Sequence, residues 1–235
     1  MTAEIRLKNV PPPAKRTSSL FAGMEALAKY LGIEADYDYL RGICGRAFDL
    51  HVHPTGVYCE GPEECDTAHM GRAFELIGCS HQDNITIRAD HPLNNPRRWD
   101  DAVRSALRAG TPVLALEPFF PRWGLIVGYD CDEAFVVVDS AGNQLSKRIA
   151  GGAIVVVARS EPQPNRRQVI RESFRLLFNQ AHQKTTTVFW STPENPHMMC
   201  GLTAYDDWVR HLKNGGNLEG SGWCYADLVD CRASS

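Results

Sequence analysis

The chain opens on a polar stretch, MTAEIRLKNVPPPAKR. Consecutive prolines cannot enter a helix, so residues 1–16 read as an extended lead-in. The pattern then turns periodic. Leu20, Met24, Leu27 and Leu31 recur at helical spacing and predict a helix over Leu20 to Leu31, with Ser18 or Ser19 placed to cap it. A short helix over Tyr37 to Arg41 ends at Gly42. RAFDLHVHP alternates, with Phe48, Leu50 and Val52 opposite Asp49, His51 and His53, and predicts a strand. A loop rich in Gly, Pro, Glu and Cys follows over 54–65. Asp66 is placed to cap the next helix, where Met70, Phe74 and Ile77 share a face and Gly78 is the stop. ITIRAD reads as a strand, and Trp99, Val103 and Ala106 mark a helix closed by Gly110.

The middle of the chain is β-rich. TPVLALEP, WGLIVGYD, EAFVVVDS and GAIVVVAR are short runs heavy in Val and Ile, divided by turn residues such as AGN. They alternate little, which predicts strands buried on both faces. Tyr129 and Asp130 are assigned to the turn after their strand. Helical periodicity then returns. Ile170, Phe174, Leu177 and Ala181 make one face, and Leu202, Tyr205, Val209 and Leu212 another. The last stretch, SGWCYADLVDCRASS, reads as a fresh helical segment that further helix is expected to follow. Helices and strands segregate rather than alternate, so the fold class is α+β: N-terminal helices, a central antiparallel sheet, then C-terminal helices. The expected organisation is a lead-in over 1–16, one α+β core over 17–160, and a helical extension over 161–235 packed on that core.

Composition narrows the function. The 235 residues are 43% hydrophobic with net charge −3, and the longest basic clusters are pairs such as Arg97-Arg98 and Arg166-Arg167. That balance provides no footprint for nucleic acid. No run approaches the ~20 apolar residues of a membrane helix, and the N-terminus has no apolar signal core. The expectation is a cytoplasmic protein without nucleic-acid or membrane partners. The eight cysteines are then expected to be mostly reduced and buried, although Cys59 and Cys65 share a loop and are able to pair if oxidised.

Two segments together resemble a known family. The helix beginning at Ser19 and the strand pair WGLIVGYD…AFVVVDS resemble the papain-like fold. Within it the chain is similar to the bacteriocin-leader peptidase-like group and to the N-terminal domain of butirosin biosynthesis protein H. Those proteins carry a CGxAxL…YYG helix, an HxxVVxGY strand, and an Asp at the end of the next strand. LGIEADYDYLRGICGRAF and GLTAYDDWV are also similar to uncharacterised bacterial relatives. The resemblance covers most of the chain. It puts the nucleophile place at Ser19, counted back from Gly32, the histidine place at Arg122, counted back from Gly128, and the orienting acid at Asp139. A papain-like thiol depends on a helix N-terminus and a His partner to lower its pKa. A serine needs a base even more, and an arginine is no base at ordinary pH. The resemblance therefore implies a catalytically degenerate cleft that binds a small molecule or a peptide, with no cofactor. In EPFFPRWGLIVGYD the residues Glu117, Phe119, Phe120, Arg122 and Trp123 gather aromatic surface and opposite charges near one strand edge. Of these, Glu117, Phe120, Arg122 and Trp123 are the candidate ligand-binding residues, and Arg122 is able to hold a carboxylate.

Two other readings stay open. Cys44, between Gly42 and Gly45, and Cys200, just ahead of a helix, are candidate nucleophiles for an acyltransferase or amide hydrolase with a relocated thiol, or else small buried thiols. The butirosin-type relatives are acyltransferases, which the resemblance alone brings in. His51, His53, Cys59, Cys65 and His69 offer zinc-type ligands without the usual short Cys spacing, so a metal-binding module is the third reading and solvated strand histidines its alternative.

Overall fold

A computed structural model describes residues 4–52, 66–84, 96–119, 122–130, 134–140, 142–147, 154–160, 164–186, 198–216 and 218–233. In chain order the elements are β1 (Ile5–Arg6), α1 (Ser19–Tyr30), α2 (Tyr37–Ile43), β2 (His51–Val52), α3 (Asp66–Leu76), β3 (Cys79–Asn84), α4 (Pro96–Arg108), β4 (Val113–Phe119), β5 (Arg122–Tyr129), β6 (Phe135–Val138), β7 (Gln144–Lys147), β8 (Ile154–Arg159), α5 (Arg166–His182), β9 (Thr185–Thr186), β10 (Met198–Cys200), α6 (Gly201–Lys213) and α7 (Leu218–Ala233). The fold is α+β with antiparallel sheets. The chain divides into two compact units, one of residues 1–36 and 77–162, the other of 37–76 and 163–235. No described helix is long and apolar enough to cross a membrane.

The first unit is built on a sheet of order β3-β8-β4-β5-β6-β7, with β1 added beside the far end of β5. On one face Val103, Ala106 and Leu107 of α4 pack with Val113, Ala115, Ile126, Phe135 and Val137. On the other, α1 comes so near that a Cβ on Gly23 would meet Leu114 at 2.5 Å. Both faces are covered, which is why Val113, Leu114 and Ala115 are all fully buried and the strands hardly alternate. The register of β5 against β6 shifts between Ile126 and Gly128. The shift brings Ile126 and Tyr129, three apart, into the same packed cluster. Tyr129 is therefore the buried end of a strand, not a turn residue.

In the second unit β10 pairs with both β2 and β9. Leu50 and Val52 pack under Ala204 and Trp208 of α6, and Trp208 Nε1–H donates to Ser221 of α7. Gly201 turns the chain from β10 into α6 at φ +65, where a Cβ would lie 2.3 Å from the Gln183 carbonyl oxygen, so glycine is required.

Several expectations change. RAFDLHVHP is not one strand. Arg46–Phe48 is a 3-10 turn, and only His51–Val52 pairs. The alternation misled because Asp49 and His51 are buried along with Leu50 and Val52. A strand does precede α4, but it is Cys79–Asn84, and the lead-in contains β1, which pairs with β5. ITIRAD and His53, Cys59 and Cys65 lie outside the described residues.

Gly128 has no room for a side chain. A Cβ there would sit 2.3 Å from the backbone oxygen of Ile5. Gly128→Ala is expected to displace β1 and to cost about 1–3 kcal/mol. Urea titration and limited proteolysis of the N-terminal segment check this. An unchanged midpoint with an equally protected N-terminus would refute it.

Candidate functional site

Within the first unit the fold gathers four of the candidate residues around one open pocket of about 140 Å³. Ser19 opens α1, Arg122 and Trp123 begin β5, and Asp139 follows β6. Pro13, Ala14, Lys15, Arg16 and Ser140 complete the lining. Ser18, not Ser19, is the helix cap: its hydroxyl accepts from Phe21 N–H at 3.3 Å. The Ser19 hydroxyl instead accepts from the backbone N–H of Trp123 at 3.0 Å, which ties helix to strand. Asp139 accepts from Asn143 through both oxygens, at 2.8 Å from the backbone N–H and 3.0 Å from the side-chain amide. Its carboxylate holds the turn after β6.

The charged residues of the lining are Lys15, Arg16 and Arg122, all cationic, and one carboxylate, Asp139. None of the lining residues is a His or Cys. Glu117 lies on β4, and Phe120 lies outside the described residues.

Cys44 and Cys200 belong to the other unit, and both are buried free thiols. They flank a polar cluster whose centre is Asp49. One oxygen of Asp49 accepts from two imidazoles, His51 Nε2–H at 2.9 Å and His69 Nε2–H at 2.8 Å. The other accepts from Leu50 N–H at 3.0 Å. Nδ1 of His69 lies 3.2 Å from the Cys44 carbonyl oxygen and 3.0 Å from the Gln180 amide of α5. Burial alone would raise the Asp49 carboxyl. The hydrogen bonds from His51 and His69, with the positive charge those rings carry when protonated, outweigh it and hold the group well below the usual carboxylate range. Cys200 pairs with His51 across the β10–β2 ladder and precedes α6. Burial, with the nearby charge of Asp49, pushes its thiol up to about 12.

This cluster unites His51 and His69 from the possible metal set, but as partners of Asp49. An imidazole that donates Nε2–H to a carboxylate cannot also offer that nitrogen's lone pair to a metal. Among the described residues no group of three or more His, Cys, Asp or Glu side chains is suited to hold a metal ion. Asp49 is the residue that sequence reasoning passed over. The available signal was an Asp two positions before a His in an extended segment.

No family model matches this chain, and no curated protein matches it in sequence.

A carboxylate with a lowered pKa binds its proton more readily in the unfolded chain. Its stabilising effect is therefore complete above the ordinary value of 3.8 and is lost as pH falls below it. Asp49→Ala, which leaves both imidazoles without their acceptor, is expected to lose about 3 kcal/mol at pH 7. The gap between wild type and variant is expected to narrow as pH drops from about 4 toward 3. Urea titrations across that range measure it; a gap independent of pH would remove Asp49 from the acid response.

Proposed function

We propose that the Ser19 pocket is a binding site for a small anionic group, a carboxylate or the acidic end of a peptide, in a papain-like cleft that no longer cuts. The observation that carries this is the lining: three cationic side chains against a single carboxylate that is already engaged with Asn143. Arg122 stands where the resemblance places the catalytic base. It takes a carboxylate in a fork of two hydrogen bonds. The Ser19 hydroxyl has a proton to donate, and the start of α1 favours negative charge. Size limits the ligand. A pocket near 140 Å³ falls well below the 300–1,000 Å³ that enclose a drug-sized molecule. It admits one functional group, with the rest of the ligand outside.

Thermal unfolding against small carboxylates and their neutral amides tests the reading. The acids are expected to raise Tm and the amides to leave it unchanged, because any ligand of the folded state alone stabilises it. Arg122→Ala is expected to abolish the shift without lowering the ligand-free Tm, since Arg122 is exposed. An equal response to the amides, or a full response in Arg122→Ala, would overturn the proposal.

A second reading has one observation in its favour. Cys200 at the start of α6 pairs in register with His51, which is bound to Asp49. Directly paired side chains have Cβ atoms about 4.5–5.5 Å apart, within reach for thiol and imidazole. In an acyl transfer His51 would take the thiol proton, Cys200 would attack the acyl carbonyl, the donor's leaving group would depart with that proton, and an acceptor amine or water would then displace Cys200 from the thioester. The raised thiol pKa opposes this. Competitive alkylation of all eight cysteines near pH 6, read by peptide mass spectrometry, decides between the two. Cys200 is expected to react no faster than the other thiols; fast, selective labelling of Cys200 would instead establish the acyl-transfer reading.

A further inference from the structure

The helical faces read from periodicity do not all turn inward, and α5 departs furthest. Its Val169 is buried, and Ser173, Leu176, Leu177 and Ala181 are half-buried. Ile170, Phe174 and Phe178, four apart along one side of the helix, stand 45%, 66% and 64% exposed. His182 continues that row and meets the Phe178 ring edge-on at 4.4 Å. Single exposed apolar residues are ordinary, but an ordered row marks a surface that binds.

A row of positive charge runs beside it. Arg167, Arg171 and Arg175 are also four apart, and each lies three positions before a member of the apolar row, so the two rows are neighbours on the helix surface. Arg166 stands one turn before Ile170. All four arginines are exposed. Among the described residues none of their guanidinium groups has an ion-pair or hydrogen-bond partner. The one acid of α5, Glu172, is reached by Arg72 of α3 at 3.4 Å. Four arginines against one glutamate give α5 a net +3 in a chain of net charge −3, so attraction for an anion is local to this helix.

The two rows together select the occupant. Unpaired arginines call for negative charge, and Ile170, Phe174 and Phe178 call for an apolar medium within a side chain's length of it. An anionic lipid surface has both, charged headgroups above acyl chains, and it accepts the convex face of a helix without a matching groove. Nucleic acid would meet the arginines and stack on the rings, but it has no apolar medium for Ile170.

We propose that α5 is an interfacial helix that lays the Ile170–Phe174–Phe178 row into an anionic lipid surface while Arg167, Arg171 and Arg175 pair with headgroup charge. The long arginine stems lie along apolar surface and keep their charge at headgroup level. A helix of this kind lies in the plane of the surface and needs no spanning length. The expectation of no membrane partner rested on the lack of a spanning run, which does not bear on such a helix.

Co-sedimentation of the full chain with vesicles tests this. Binding is expected on phosphatidylcholine vesicles containing about one third phosphatidylserine and not on phosphatidylcholine alone. It is expected to weaken as salt approaches ~1 M, where charges are screened within about 3 Å. Arg171→Ala is expected to weaken binding about fivefold, the share of one basic residue near a charged surface. Phe174→Ala is expected to weaken it about tenfold through lost apolar burial. Both side chains are exposed, so circular dichroism is expected to stay unchanged. Arg108→Ala, an exposed arginine of α4 in the first unit, is expected to bind as wild type. On the wild type alone, vesicles are expected to slow hydrogen exchange in 166–182, a readout that needs no variant to fold. Equal binding to neutral vesicles, no binding, full binding by both α5 variants, or protection confined to other segments overturns the proposal. So does tighter binding to polyglutamate or single-stranded RNA than to vesicles of equal anionic charge, which would make α5 a site for an acidic protein or a nucleic acid.

Discussion

A carboxylate as deeply buried as that of Asp49 has to be paired, and the second unit is arranged around that requirement. Removing an ion from water costs several kcal/mol even after relaxation. Two imidazoles and one backbone N–H meet the demand, and each comes from a different place in the chain. His51 lies on β2 and His69 on α3. Through His69 the network reaches the carbonyl of Cys44 and the amide of Gln180 on α5. Three segments, residues 44–51, α3 and α5, must therefore sit correctly at once. The contribution of such a network to net stability is modest beside its geometric demand, since an apolar cluster of equal volume often does as well. Its contribution is to position: the segment 49–51 cannot shift without taking Asp49 away from His69 on α3.

The first unit has no buried charge of this kind at its joint. There α1 meets β5 through the Ser19 hydroxyl and the Trp123 N–H. At the place where the resemblance expects a nucleophile, the side chain is a structural tie. Asp139 has likewise become the anchor of a turn. What remains for a ligand is the charge around them. Lys15 and Arg16 come from the lead-in, and Arg122 from the strand edge. A pocket with Lys15, Arg16 and Arg122 in its lining is suited to holding an anion.

How much of this was legible follows from how each segment meets solvent. Helix α1 was placed within a residue of its true ends because its capping serine and apolar spacing agree. The Val- and Ile-rich runs became β4, β5, β6 and β8 for the same reason. RAFDLHVHP failed because alternation signals a strand only when one face is wet, and here both are dry. CSHQDN, which is β3, has almost none of the residues that mark strands and is placed by pairing with Val155, Val156 and Val157 of β8. Ser19, Arg122, Trp123 and Asp139 were foreseen by position, and the fold brings them to one pocket. Lys15 and Arg16 were not, because an extended lead-in shows nothing in its spacing about where it will lie. Asp49 was hidden for a related reason: its partner His69 is far along the chain, and no local pattern announces a long-range hydrogen bond.

The second unit also departs from the usual partition of side chains, and both departures have one physical consequence. Arg41, Arg46, Asp49, His51 and His69 are buried, while Phe174, Phe178 and Leu202 are in water. Arg41 is held by the Tyr37 hydroxyl at 2.7 Å and by the carboxylate of Asp230 on α7. Hydrogen bonds are directional and specify one arrangement, whereas apolar contact is not directional and rewards any close approach. A core that uses polar groups to fix its geometry has committed part of its interior volume to them, and apolar side chains that would otherwise fill it are displaced to the surface. Polar groups thus set the geometry inside the unit.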